Sequence, residues 1–185
     1  MLVAQKKRKE NVAEYILYMF QIEDIIRALD FDAEALHNYV QNGYRLSPGQ
    51  MAETEKWYEE IAMEMQLRDA VESGHIARVD NLISELQTLC EKLLKDPTQS
   101  LFASLYYAAL PSVVQIRSHS GGHNYKEVEA AFVGIYGYLT LKNKGAEISE
   151  ETEKAVKQFS TFLAMLADRY RGIEEGTFTL TEKNA

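Results

Sequence analysis

The chain has 185 residues, 46% of them apolar, with three prolines, ten glycines and a net charge of −8. That is enough apolar material for one full core, too little turn chemistry for a β-sandwich, and the wrong charge for a protein whose main partner is a polyanion. A single cysteine, Cys90, excludes an intramolecular disulfide framework and a multi-cysteine zinc cluster.

In chain order, the basic run Lys6, Lys7, Arg8, Lys9 opens an amphipathic segment and reads as a solvated helix end. Val12, Tyr15, Met19, Ile22, Ile26 and Leu29 step by three and four, which predicts one helix over residues 4–29. Glu14, Glu23 and Asp24 interrupt what would otherwise resemble a signal peptide, and no stretch has the roughly 18 uncharged apolar residues that a membrane span needs. The expected location is therefore the cytoplasm, without a membrane partner. Asp32 is the expected N-cap of a short helix to about residue 41, with Phe31 and Leu36 as a hydrophobic staple.

Ser47-Pro48-Gly49-Gln50 combines a capping serine, a proline at the first helical position and a glutamine three after the cap. The helix it starts is expected to run to Ser73-Gly74. Ile76, Val79, Ile83, Leu86, Cys90 and Leu93 form the clearest apolar stripe of the chain, within which Cys90 reads as a buried, inert thiol. Asp96 then caps a segment whose residues from Leu101 to Ile116 are apolar on nearly every side, the pattern of a helix enclosed by others. Pro111 removes one backbone donor within it and predicts a kink or restart.

The segment "SHSGGHN", residues 118–124, reads as a connector whose glycines turn the chain and whose Ser120 or Asn124 caps the next helix. A hydrolase reading with Ser118, Ser120, His119 and His123 lacks any strand–turn–helix context, and an anion site on Gly121-Gly122 is the weaker account. Val128, Phe132, Ile135 and Leu139 mark a further helix. Ala130, Gly134 and Gly137 put small residues on it, which calls for the close approach of a crossing helix. The last helix opens at Ser149 with three acids in its first turn and closes at Arg169, Arg171 and Gly172, leaving residues 176–185 as a tail that packs as an extended arm. The expected architecture is all-α: one domain over residues 1–175, an up-and-down helical bundle of five long helices plus one short helix.

The opening "NVAEYILYMFQIEDIIRA" and the pair "EVEAAFVGIYGYLTLKNKGAEISEETEKAVKQFSTFLAMLADRY" resemble an uncharacterised all-helical protein family of Bacteroidetes-type bacteria, a domain of unknown function. The resemblance implies a helical fold and a bacterial cytoplasmic setting, and it carries over no catalytic or binding residue.

Two Glu-x-x-His spacings, Glu34 with His37 and Glu72 with His75, match the ligand spacing of di-metal helical bundles. Glu72 and His75 straddle Ser73-Gly74, which removes the shared helical face, and the sequence therefore points to neither a metal nor a cofactor. Inside apolar helices stand Glu23, expected to pair with Arg27, and Glu129. Arg117 is the cation expected to pair with one of those two acids, and Tyr136 is the neighbouring polar tip. The leading expectation is a non-enzymatic protein that acts through protein–protein contact, with a protein partner or as a homodimer, without nucleic acid or membrane. The alternative is a bundle that binds a small molecule or metal, with Glu23, Arg117, Glu129 and Tyr136 as its polar lining.

Overall fold

A computed structural model describes residues 2–181, and every regular element among them is helical. Eight α-helices follow in order: α1 (Leu2–Glu10), α2 (Val12–Ala28), α3 (Ala33–Gly43), α4 (Pro48–Leu67), α5 (Ala77–Lys95), α6 (Ser100–Ser118), α7 (Glu127–Asn143) and α8 (Glu150–Glu174). A 3-10 turn at Pro97–Gln99 leads into α6.

The total of five long helices plus one short is an undercount for two reasons. The stretch expected as one helix over 4–29 breaks at Asn11, whose side-chain Oδ1 accepts the Ala13 backbone N–H at 2.9 Å and so starts α2 afresh. The second is that the total omits one of the helices that the patterns themselves place: the last, expected from Ser149 to Gly172, forms as the 25-residue α8. Helix α4 is also shorter than expected. It stops at Leu67, where Asp69 takes a left-handed φ of 57° and the Ala70 N–H returns to the Met65 carbonyl at 2.8 Å.

Local capping signals otherwise translate directly into bonds. Asp32 accepts the Ala35 N–H at 2.7 Å, the Gln50 side chain accepts the Ser47 N–H at 3.2 Å, and Ser149 accepts the Thr152 N–H at 3.2 Å. Asp96 accepts both the N–H and the hydroxyl of Thr98. These bonds hold its carboxyl below the usual aspartate range, the Thr98 hydroxyl contributing most. Helix α6 runs through Pro111 without a restart.

The helices gather into two compact units. One takes in the chain up to Asn81 apart from Asn11–Ala13, and the other takes in Asn11–Ala13 and the chain from Leu82 onward. In the first, α3 packs on α4, and Ile16, Met19, Ile26, Val40, Tyr58, Ile61 and Met65 are sealed from solvent. Tyr58 and Tyr44 share a hydroxyl–hydroxyl bond of 2.8 Å, and burial drives the Tyr58 phenol far above its ordinary titration range.

In the second unit α6, α7 and α8 pack against one another around Phe102, Phe132, Phe159 and Phe162. Of the two glycines among the small residues of α7, one shows the expected close approach. A Cβ on Gly134 would stand 2.6 Å from Cε2 of Phe159, whereas Gly137 has nothing within 4 Å. A crossing helix, α8, therefore accounts for Gly134.

Candidate functional site

Glu23 lies on α2 and is fully buried, a placement that costs several kcal/mol unless the carboxylate is compensated. The expected partner, Arg27, does not supply the compensation. His75 Nδ1 approaches Glu23 Oε2 at 2.6 Å, and the Ile76 N–H donates to Oε1 at 3.0 Å. Both bonds reach from the loop ahead of α5, so Glu23 satisfies a helix entry 53 residues away.

Arg27 works beside it. Its guanidinium pairs with Asp24 at 2.9 Å and donates to the carbonyls of Ala70, at 3.2 Å, and of Gly74. Together Glu23 and Arg27 strap the loop 68–76 onto α2. A carboxylate can only accept, so His75 donates through Nδ1 and leaves Nε2 as its second ring nitrogen. The ring stacks on Phe20 at 4.0 Å and is 18% exposed. An imidazole oriented in this way can serve as a base or as a single metal ligand. Among the described residues, however, no group of three or more His, Cys, Asp or Glu side chains is placed to share a metal ion. The Glu-x-x-His spacings do not form pairs: His75 bonds Glu23, and His37 lies 3.1 Å from Glu55 of α4.

The second polar cluster surrounds the start of α7. Arg117, at the end of α6, bonds Glu127 at 2.7 Å and the Tyr125 carbonyl at 2.6 Å, and so pairs with neither Glu23 nor Glu129. Gln87 of α5, nearly buried, donates to Glu127 at 3.2 Å and accepts the Val128 N–H at 3.2 Å. That second bond caps α7 from a different helix. Neither Ser120 nor Asn124 caps it, because α7 begins only at Glu127 and the residue before it, Lys126, offers no side-chain cap. Burial raises the Glu127 carboxyl, but Arg117 and Gln87 outweigh it and hold the group below the usual glutamate range. Glu129 and Tyr136 sit half-buried on α7.

The connector between α6 and α7 turns at Gly121 and Gly122, whose φ values are 63° and 101°. The Ser120 hydroxyl lies within bonding distance of the Arg117 and His123 carbonyls, and His119 Nδ1 meets the Gln115 carbonyl at 2.8 Å. The side chains of Ser118, His119 and Ser120 are thus spent on the chain itself, and His123 stacks on Tyr125. Cys90 is buried, and burial first, then Glu127 and Glu91, push its thiol up to about 12, so it is not a nucleophile at neutral pH.

The most unusual surface is on α6. The segment was expected to be enclosed, yet only Phe102, Ala109 and Val113 turn into the core. Leu101, Tyr107 and Val114 are 63%, 63% and 62% exposed, with Ser104, Ala108 and Pro111 exposed between them. The 19 residues of α6 carry one charge, Arg117, which is already engaged by Glu127. The outer face is therefore an uncharged, largely apolar strip. Periodicity could not reveal this, because an apolar-all-round helix reads the same whether its own chain or another covers it.

A family described as a domain of unknown function (DUF4924) matches residues 1–177. The chain belongs to that family. No curated protein and no solved structure matches it. No helix among the described residues is long and apolar enough to cross a membrane.

Proposed function

We propose that this DUF4924 chain is a non-enzymatic helical protein that acts through protein–protein contact, and that the contact is made by the outer face of α6 with a second copy of the chain. The exposed strip from Leu101 to Val114 carries the reading. Apolar side chains in contiguous exposed strips mark interaction surfaces, whereas single ones do not. A two-fold interface sets one patch against itself, so charges on it would meet charges of like sign. A strip without charge, in a chain whose net charge is −8, is compatible with self-pairing. Exposed Ser104 and Ala108 near its middle allow two helices to approach closely.

The small-molecule alternative has less support. Arg117 and Glu129 do not pair, and the Glu23 carboxylate spends both oxygens on His75 and Ile76. A bacterial cytoplasmic setting belongs to the same proposal, supported by the sequence resemblance and by the lone buried thiol of Cys90.

Light scattering across a concentration series tests the contact. The wild-type chain is expected at twice its monomer mass, and the double variant Tyr107→Glu/Val114→Glu at the monomer mass with unchanged helical circular dichroism. A wild-type chain that stays monomeric at the highest concentrations would overturn the reading.

A further inference from the structure

The last turn of α5 and the segment after α8 enclose an open groove of about 680 Å³, lined by Lys92, Lys95, Asp96, Ile173, Gly176, Phe178, Thr179, Leu180 and Thr181. We propose that this groove binds an anionic amphiphile, a single alkyl chain ending in a carboxylate or phosphate, with the head between Lys92 and Lys95 and the chain along Ile173, Phe178 and Leu180.

The groove is held in shape by fixed contacts. The Phe178 N–H donates to the Gly172 carbonyl at 3.0 Å as the chain turns back from α8, and the Thr181 N–H donates to Asp96 at 3.0 Å. The segment is thus fastened at both ends. Gly172 is required at the first fastening, since a Cβ there would stand 2.7 Å from Cβ of Phe178. The Arg169 guanidinium lies over the Phe178 ring, 4.9 Å from its centre, a cation–π contact that helps hold the ring in place. A segment tied down this firmly would be expected to fill the space beneath it, because protein interiors close-pack. Here it forms a wall instead.

The lining has the chemistry of the occupant. Ile173, Phe178 and Leu180 supply an apolar bed, and the volume lies in the range of small-molecule sites. Lys92 and Lys95, three residues apart on α5, share one helical face and make no ion pair with any described acid. Asp96 is the one acid in the lining; its oxygens accept from Thr98 and Thr181, which keeps it charged, so the two lysines leave the lining with one net positive charge. Two lysines that pair with no described acid, lining the same groove as Ile173, Phe178 and Leu180, complement a negative head on an apolar tail, and they disfavour a cationic amphiphile of the same length.

Calorimetry with decanoate, decyl phosphate and decyltrimethylammonium tests the proposal. Decanoate or decyl phosphate is expected to bind at one per chain, the tighter of the two identifying the head group, with decyltrimethylammonium about tenfold weaker or undetectable. Lys92→Gln/Lys95→Gln is expected to weaken the anion by about tenfold without moving the thermal midpoint, and Leu180→Asp to weaken it separately. Equal binding of anionic and cationic chains, unchanged affinity in the lysine double variant, or no binding of either anion would each overturn it. The site is independent of the α6 contact, so Tyr107→Glu/Val114→Glu should bind the anion as the wild type does.

Discussion

Two regions invert the ordinary distribution of side chains, and they do so in opposite directions. Glu23, a carboxylate, is sealed inside the first unit, whereas Leu101, Tyr107 and Val114, all large and largely apolar, stand in solvent on the second. Buried charge and exposed apolar surface are the two placements that call for explanation. For Glu23 the explanation lies within the chain, in the bonds from His75 and Ile76. For the α6 strip the described residues supply no cover, and the proposed contact with a second copy would provide it.

The sharpest way to break the comparison is to remove the internal partner. Glu23→Ala leaves the His75 and Ile76 donors unmatched and opens a cavity. It should cost about 3 kcal/mol and lower the Tm by roughly 6–12 °C in a calorimetric scan. If the Tm does not move, the buried pair is not what holds the loop to α2.

Next in size is Gln87→Ala. It removes the cap of α7 and one bond to Glu127, an expected loss of about 1–2 kcal/mol in urea unfolding. Amide exchange should show it as faster opening at the start of α7 rather than throughout the helix. Arg117→Gln is smaller, about 1 kcal/mol near neutral pH, because the pair is partly exposed. Its sign is fixed by the Glu127 carboxyl, which titrates below its ordinary value of about 4.3 in the folded chain. Stabilisation is then fully present above that ordinary value and is lost as pH falls through the lower folded one. Acid unfolding curves of wild type and variant should therefore converge at low pH.

The smallest effect belongs to the other side of the comparison. Tyr107→Ser, on the outer strip, should change the stability of the monomer by less than about 0.5 kcal/mol while weakening self-association. A large loss of monomer stability would mean that the strip is covered by its own chain.

The sequence made legible what depends on near neighbours. Asp32, Ser47, Asp96 and Ser149 cap through partners within three residues, and each cap formed where the pattern placed it. Contacts made across the fold were not legible. His75 and Glu23 are 52 residues apart, and Gln87 caps Val128 from 41 residues away. Arg117 was matched to the wrong acids because spacing alone could not separate Glu127 from Glu129, two residues apart and therefore on different faces of α7. The break at Asn11 was signalled by a single side chain inside an otherwise continuous apolar period.

Self-pairing of α6 can be read most directly from Ala108→Cys, an exposed small residue near the middle of the strip. Cys90 is buried with a thiol pushed up to about 12, so the introduced thiol would be the reactive one. A two-fold pairing of the strip brings the two copies of position 108 together, and the account predicts rapid, near-complete formation of a disulfide-linked dimer under mild oxidation, abolished by adding Tyr107→Glu/Val114→Glu. A chain that remains monomeric after oxidation, or that cross-links equally well with those glutamates in place, would contradict it.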